Sequence, residues 1–188
     1  MQAEESNRGL SPIRAFLILL GVLAAVTAVV LLTRPTESVP APGSPAGAVD
    51  HSLTNAEALA RLSDLQRLER QAFAETDASL LSQVYTSTSP LLKDARNGLK
   101  KLQKDNVAAV FERKQEELVV LVNESSVVRV RETSIFDIRF VSRDGSPVDQ
   151  RGSADLQTTE WVLRFAGGQW LIDDAILRSS KPVSKDGQ

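Results

Sequence analysis

The chain has 188 residues, 24% of them charged, and a formal net charge of −2, which gives room for one domain with appendages and no mark of a nucleic-acid binder. It has no cysteine, which excludes disulfides, thiolate metal sites and thiol nucleophiles. The single histidine, His51, stands in a linker-like stretch, so neither a zinc site nor histidine-based proton transfer is expected, and no cofactor is implied.

After a short tail, 1–14, residues 15–33 read AFLILLGVLAAVTAVVLLT, 19 residues without a charge. At ~1.5 Å per residue such a helix spans about 28 Å, close to the ~30 Å hydrocarbon core of a bilayer. Its apolar core is longer than that of a cleavable signal peptide, and Thr33-Arg34-Pro35 follows it where a small-x-small site would have to lie. A retained transmembrane helix is the expectation. Arg8 and Arg14 precede it, while Arg34 is the one cation between it and Arg61. That asymmetry leans towards a cytoplasmic tail and an extracytoplasmic C-terminal domain.

Residues 34–53 form the linker. Its stretch Pro35 to Asp50 holds four of the chain's eight prolines and few large apolar residues, so it is expected to be extended, with polyproline II character.

The domain is expected over 54–178. Thr54-Asn55-Ala56-Glu57 fits a capping box, and Leu59, Leu62, Leu65, Ala72 and Phe73 follow at helical spacing. Asp77 is placed to cap a short second helix carrying Leu80, Leu81, Val84 and Tyr85. Ser89-Pro90 opens a third, Pro90 to about Lys104, with Leu92, Ala95, Leu99 and Leu102 inward.

Beyond Asn106 the composition turns β-branched. Strands are expected over Val107 to Val122 (bulged near Glu112 to Gln115), Val127 to Val141, Thr158 to Ala166 and Gln169 to Leu177. Ser142 to Gln157 is expected as a long hairpin loop, Gly167-Gly168 as a tight turn, and 179–188 as a disordered tail. Three helices followed by four antiparallel strands predict an α+β domain, helices packed on one face of a curved sheet.

The order of elements, with Asp77 and Ala78 leading to Val84-Tyr85-Thr86, Ser89-Pro90 and a closing Gly168-Gln169-Trp170-Leu171-Ile172, resembles the nuclear transport factor 2-like, or SnoaL-like, cone fold. The full layout is similar to the actinobacterial Mce-associated membrane proteins and to inner-membrane scaffold subunits of type IV secretion machines. The resemblance implies assembly work at the cell envelope, with envelope proteins as partners and a homodimer formed through the sheet.

Some enzymes of this fold use a carboxylate base and a phenol, carboxylic acid or imidazole donor inside the cone. Tyr85 is the one phenol, and a core-rim packing role suits it. On the second strand Ile135, Asp137 and Arg139 share one face, and Phe136, Ile138 and Phe140 the other. Asp137 points outward if the aromatic face is the core and becomes the candidate base if it is not. Trp161 and Trp170 flank the last hairpin and are expected to pair across it, packing the core or the cone mouth. Tyr85, Asp137, Trp161 and Trp170 are thus the candidate pocket residues. No phosphate loop, nucleophile elbow or metal-ligand set is present.

Lys93, Arg96, Lys100 and Lys104 form a basic stripe on the third helix. It reads either as a solvated helix face or as a surface for an anionic partner. Together these features predict a membrane-anchored, non-enzymatic scaffold or accessory protein with no catalytic residue. A module for a small apolar ligand is the alternative, and an isomerase or dehydratase comes after it.

Overall fold

The computed structural model describes residues 51–144, 146–151 and 154–183. The apolar segment 15–33 and the linker as far as residue 50 lie outside the described residues. No helix among the described residues is long and apolar enough to cross a membrane.

Among the described residues two α-helices form where the domain was expected to have three: α1, Asn55–Glu75, and α2, Pro90–Lys104. Between them Leu80–Gln83 makes a single 3₁₀ turn. Its Ser79 amide donates to Asp77 Oδ1 at 2.8 Å, but the segment then leaves the helix to run beside the sheet. The capping box at Thr54 is complete: Glu57 accepts from the Thr54 amide at 2.7 Å, and Thr54 Oγ1 accepts from the Glu57 amide at 3.2 Å. Ser89 caps α2 with proline in its first turn.

The strands are β1 (Val107–Asn123), β2 (Val127–Ser142), β3 (Pro147–Arg151), β4 (Asp155–Ala166) and β5 (Gln169–Pro182). They pair antiparallel in the order β1-β2-β4-β5, and β3 adds to β2. The expected loop after Ser142 therefore contains a fifth, short strand. Register shifts between Gln115 and Glu117, between Val120 and Val122, and twice along β4–β5 add the local twist that curls a sheet around helices. The bulge in β1 lies just past the expected place.

The two helices bury their apolar stripes against the concave face. Leu62, Leu65, Leu163, Ile172, Val128 and Val130 are fully buried, each side chain contributing about 1.5–3 kcal/mol through removal from water. The helices and the sheet enclose the core, in which Glu132 and Ser134 of β2 are buried among apolar side chains.

The chain reaches this domain already docked. The His51 ring stacks on Phe165, its carbonyl accepts the Trp170 indole N–H at 3.2 Å, and Asn123 Nδ2 donates to the Leu53 carbonyl at 2.8 Å.

Candidate functional site: a buried glutamate in the cone

Strand β2 sends Val128, Val130, Glu132, Ser134 and Phe140 inward, and all five are buried. A strand turns alternate side chains to one face, so Glu132 stands in the cone at a position where its neighbours at i±2 are core residues. It is 1% exposed. Its Oε2 accepts from Gln66 Nε2 on α1 at 2.8 Å, from Trp161 Nε1 on β4 at 2.8 Å and from Arg113 on β1 at 3.2 Å. Oε1 is buried and has no hydrogen-bond partner. Three donors from three elements fix the carboxylate plane, and with it the direction in which the unpartnered oxygen points.

The surroundings are rings and charges. The Arg113 guanidinium lies 5.2 Å from the ring centroids of both Phe136 and Trp161, close enough for cation–π attraction. Phe73, Phe111 and Phe136 make a run of tilted rings at 4.8 and 5.8 Å. Burial, then the nearby Arg113, holds the Arg70 guanidinium below its usual range, while Glu69 and Glu132 pull the other way.

Tyr85 is 3% exposed and its hydroxyl donates a short hydrogen bond to Glu69 Oε1. Burial first, and then the Glu69 charge, push its pKa well above the ordinary phenol value. A carboxylate and a phenol, the two parts sought in the sequence, are both inside. The carboxylate is Glu132 and not Asp137.

Asp137 stands opposite Glu112 on β1, on the face away from Phe136. Its neighbour Arg139 pairs with Glu112 there. The aromatic face of β2 is the core, so Asp137 is excluded from the cone. Its Oδ1 is nonetheless buried and has no hydrogen-bond partner.

Trp161 enters the site as a donor to Glu132. Trp170 does not join it. Trp170 pairs across the hairpin with Phe165, whereas Trp161 pairs with Ala175, so the expected pairing of the two tryptophans is corrected. A register shift between Val162 and Leu163 separates them. The same shift carries Ile176 to the outer face, opposite Glu160, away from the face of Trp170 and Ile172.

Asp173 is engaged by Thr86 Oγ1 at 2.6 Å and by Arg164 at 2.9 Å. Lys93, Arg96 and Lys100 line a surface groove with Ser87 and Ser89, and Lys104 does not reach it. Among the described residues no three of His, Cys, Asp or Glu gather as a metal-binding group.

No protein-family model and no curated protein sequence matches the chain. Solved structures do. The intermembrane space region of the chloroplast protein ARC6 superposes with TM-score 0.51 at 13% identity, over 66% of this chain and 97% of that one. A putative aromatic ring hydroxylase from Novosphingobium aromaticivorans superposes with TM-score 0.50 at 13% identity, over 70% and 96%. LinA follows with TM-score 0.44 at 10% identity, over 69% and 92%.

The domain has the nuclear transport factor 2-like, SnoaL-like cone fold. At these identities the likeness shows the fold alone. The expectation that the domain is no enzyme is corrected: this cone holds a buried carboxylate and a buried phenol, and the structures that share its fold include one described as a hydroxylase.

Proposed function

We propose that the chain is a membrane-tethered envelope protein whose extracytoplasmic cone binds a small ring-bearing molecule, with Glu132 as the group that accepts its hydrogen-bond or proton donor. The single observation behind this reading is the uneven load on Glu132, three donors on one oxygen and none on the other. A buried acceptor left unpaired costs about 1–3 kcal/mol, more when charged, and a ligand O–H or N–H removes that cost. The rings of Phe73, Phe111, Phe136 and Trp161 suit a flat apolar body.

If the bound molecule carries an acidic C–H at the same place, the fixed carboxylate is arranged for proton abstraction, the chemistry of isomerases and dehydratases. Oε1 is buried in this conformation, so entry requires the side chains around it to move.

The test is native mass spectrometry of the full-length protein from its own membranes, followed by thermal-shift titration with flat ring compounds bearing one hydroxyl. Stabilisation in the native chain, lost in Glu132→Gln, is the expected result. Equal stabilisation of both would sink the reading.

A scaffold reading has its own support. Val119, Leu121 and Leu156 are 40%, 38% and 37% exposed, all on strands whose outer face carries no helix. Such a face suits envelope proteins or a second copy of the chain as partner. In-cell crosslinking of the full chain, compared with a version lacking the cone, tests it: partners retained without the cone would refute it.

A further inference from the structure

The end of the domain at which the chain arrives is also the end at which α2 begins. His51 sits against Phe165 and Trp170, with ring centroids of His51 and Phe165 3.9 Å apart. Two residues along β5, the Ile172 amide donates to the Val84 carbonyl at 2.8 Å and the Ile172 carbonyl accepts from the Thr86 amide at 2.9 Å. Ser87 and Ser89 follow at once and lead into α2. Here the surface holds a groove of about 250 Å³ whose walls include Ser87, Ser89, Lys93, Arg96, Asn97 and Lys100.

The chemistry of that groove is one-sided. Its polar lining is two hydroxyls, an amide and three cations, and no carboxylate lines it. Lys93, Arg96 and Lys100 are exposed and make no ion pair among the described residues. From Lys93 to Lys100 the helix rises about 10 Å, more than one phosphate spans. A row of anionic groups therefore fits better than a single ion.

We propose that this groove seats the phosphate headgroups of anionic phospholipids in the bilayer that tethers the chain. The proposal rests on the reading that residues 15–33 cross that bilayer. Each basic side chain near an anionic surface contributes about a fivefold gain in association, and three contribute about a hundredfold.

The experiment is hydrogen exchange of the full-length chain in nanodiscs of phosphatidylcholine alone and of phosphatidylcholine with phosphatidylglycerol. Amides of residues 87–100 are expected to exchange more slowly only in the anionic discs. That protection should vanish in 0.5 M salt, which shortens the Debye length to roughly 4 Å, and in the triple variant Lys93→Gln, Arg96→Gln, Lys100→Gln. These side chains are exposed, so the variant keeps the core.

Equal protection in neutral discs, or protection that survives the triple variant, overturns the proposal. Protection by inorganic phosphate in neutral discs, matching that of the anionic discs, assigns the groove to a free anion and also overturns it. A chain that fails to enter discs removes the tether reading instead. In that event flotation with anionic vesicles, lost in the triple variant, still supports the groove, and no flotation refutes it.

Discussion

Two glutamates are buried on opposite faces of the same sheet, and they are treated differently. Glu160, on the outer face, is 7% exposed and has both oxygens engaged, Oε1 by Arg131 at 2.9 Å and Oε2 by Arg178 at 2.6 Å. Glu132, on the inner face, has one oxygen engaged three times and the other not at all. Glu160 thus has its donors distributed over both oxygens, whereas Glu132 crowds them onto one and leaves a buried acceptor inside the cone.

The comparison breaks first, and most visibly, at Glu132. Replacing it by Ala leaves the Gln66 amide, the Trp161 indole and the Arg113 guanidinium buried without their acceptor, a loss of about 3–5 kcal/mol measurable by urea denaturation of the full chain. Trp161→Phe removes one of the three donors and should cost about 1 kcal/mol, with a larger fractional effect on ligand stabilisation than on the fold. Glu160→Gln should cost about 0–1 kcal/mol, because Arg131 and Arg178 are half exposed and return to water. If Glu160→Gln proves as damaging as Glu132→Ala, the distinction between the two faces fails.

Acid sharpens the same contrast. The hydrogen bonds from Arg178 and then Arg131 hold the Glu160 pKa below the usual carboxylate range. A depressed folded-state pKa contributes stability above the unfolded pKa, near 4.3, and that stability is lost as pH falls through the lower folded value. A pH series of denaturation midpoints should show a larger acid loss in the native chain than in Glu160→Gln, in which Glu57, Asp77 and Asp144 still have lowered pKa values.

At the basic end, Tyr85 is the only tyrosine, so phenolate absorbance reports it alone. Its pKa is raised, so the folded chain should show no phenolate near pH 10, where a free phenol is half ionised. Glu69→Gln should bring the titration down part of the way, because burial remains. This is the smallest effect of the set.

Much of the fold was legible in the sequence because local signals carried it. Thr54 with Glu57, Ser89 with Pro90, and Gly167-Gly168 each solve a local backbone problem, and each stands where the sequence put it. The second helix misled because Asp77 and the Leu80–Leu81 pair signal a helical start, while the sheet decides its length: Val84 and Thr86 are taken by Ile172. β3 was invisible because its pairing with β2 is tertiary.

In the candidate site, Tyr85 and Trp161 were named and their partners were not. Carrying the alternation back from Phe136 through Ser134 to Glu132 would have exposed a glutamate in core phase. Arg113 and Gln66 could not be read, since their meeting at Glu132 depends on how β1 and α1 close over β2.

The docking of residues 51–53 also bears on mechanics. A pull along the chain from its N-terminal side loads the Trp170–His51 and Asn123–Leu53 hydrogen bonds before it reaches the first turn of α1. Trp170 is the second residue of β5 and Asn123 the last of β1. Tension on the linker is thereby delivered to the ends of two hairpins, and the capping box at Thr54 is shielded from it.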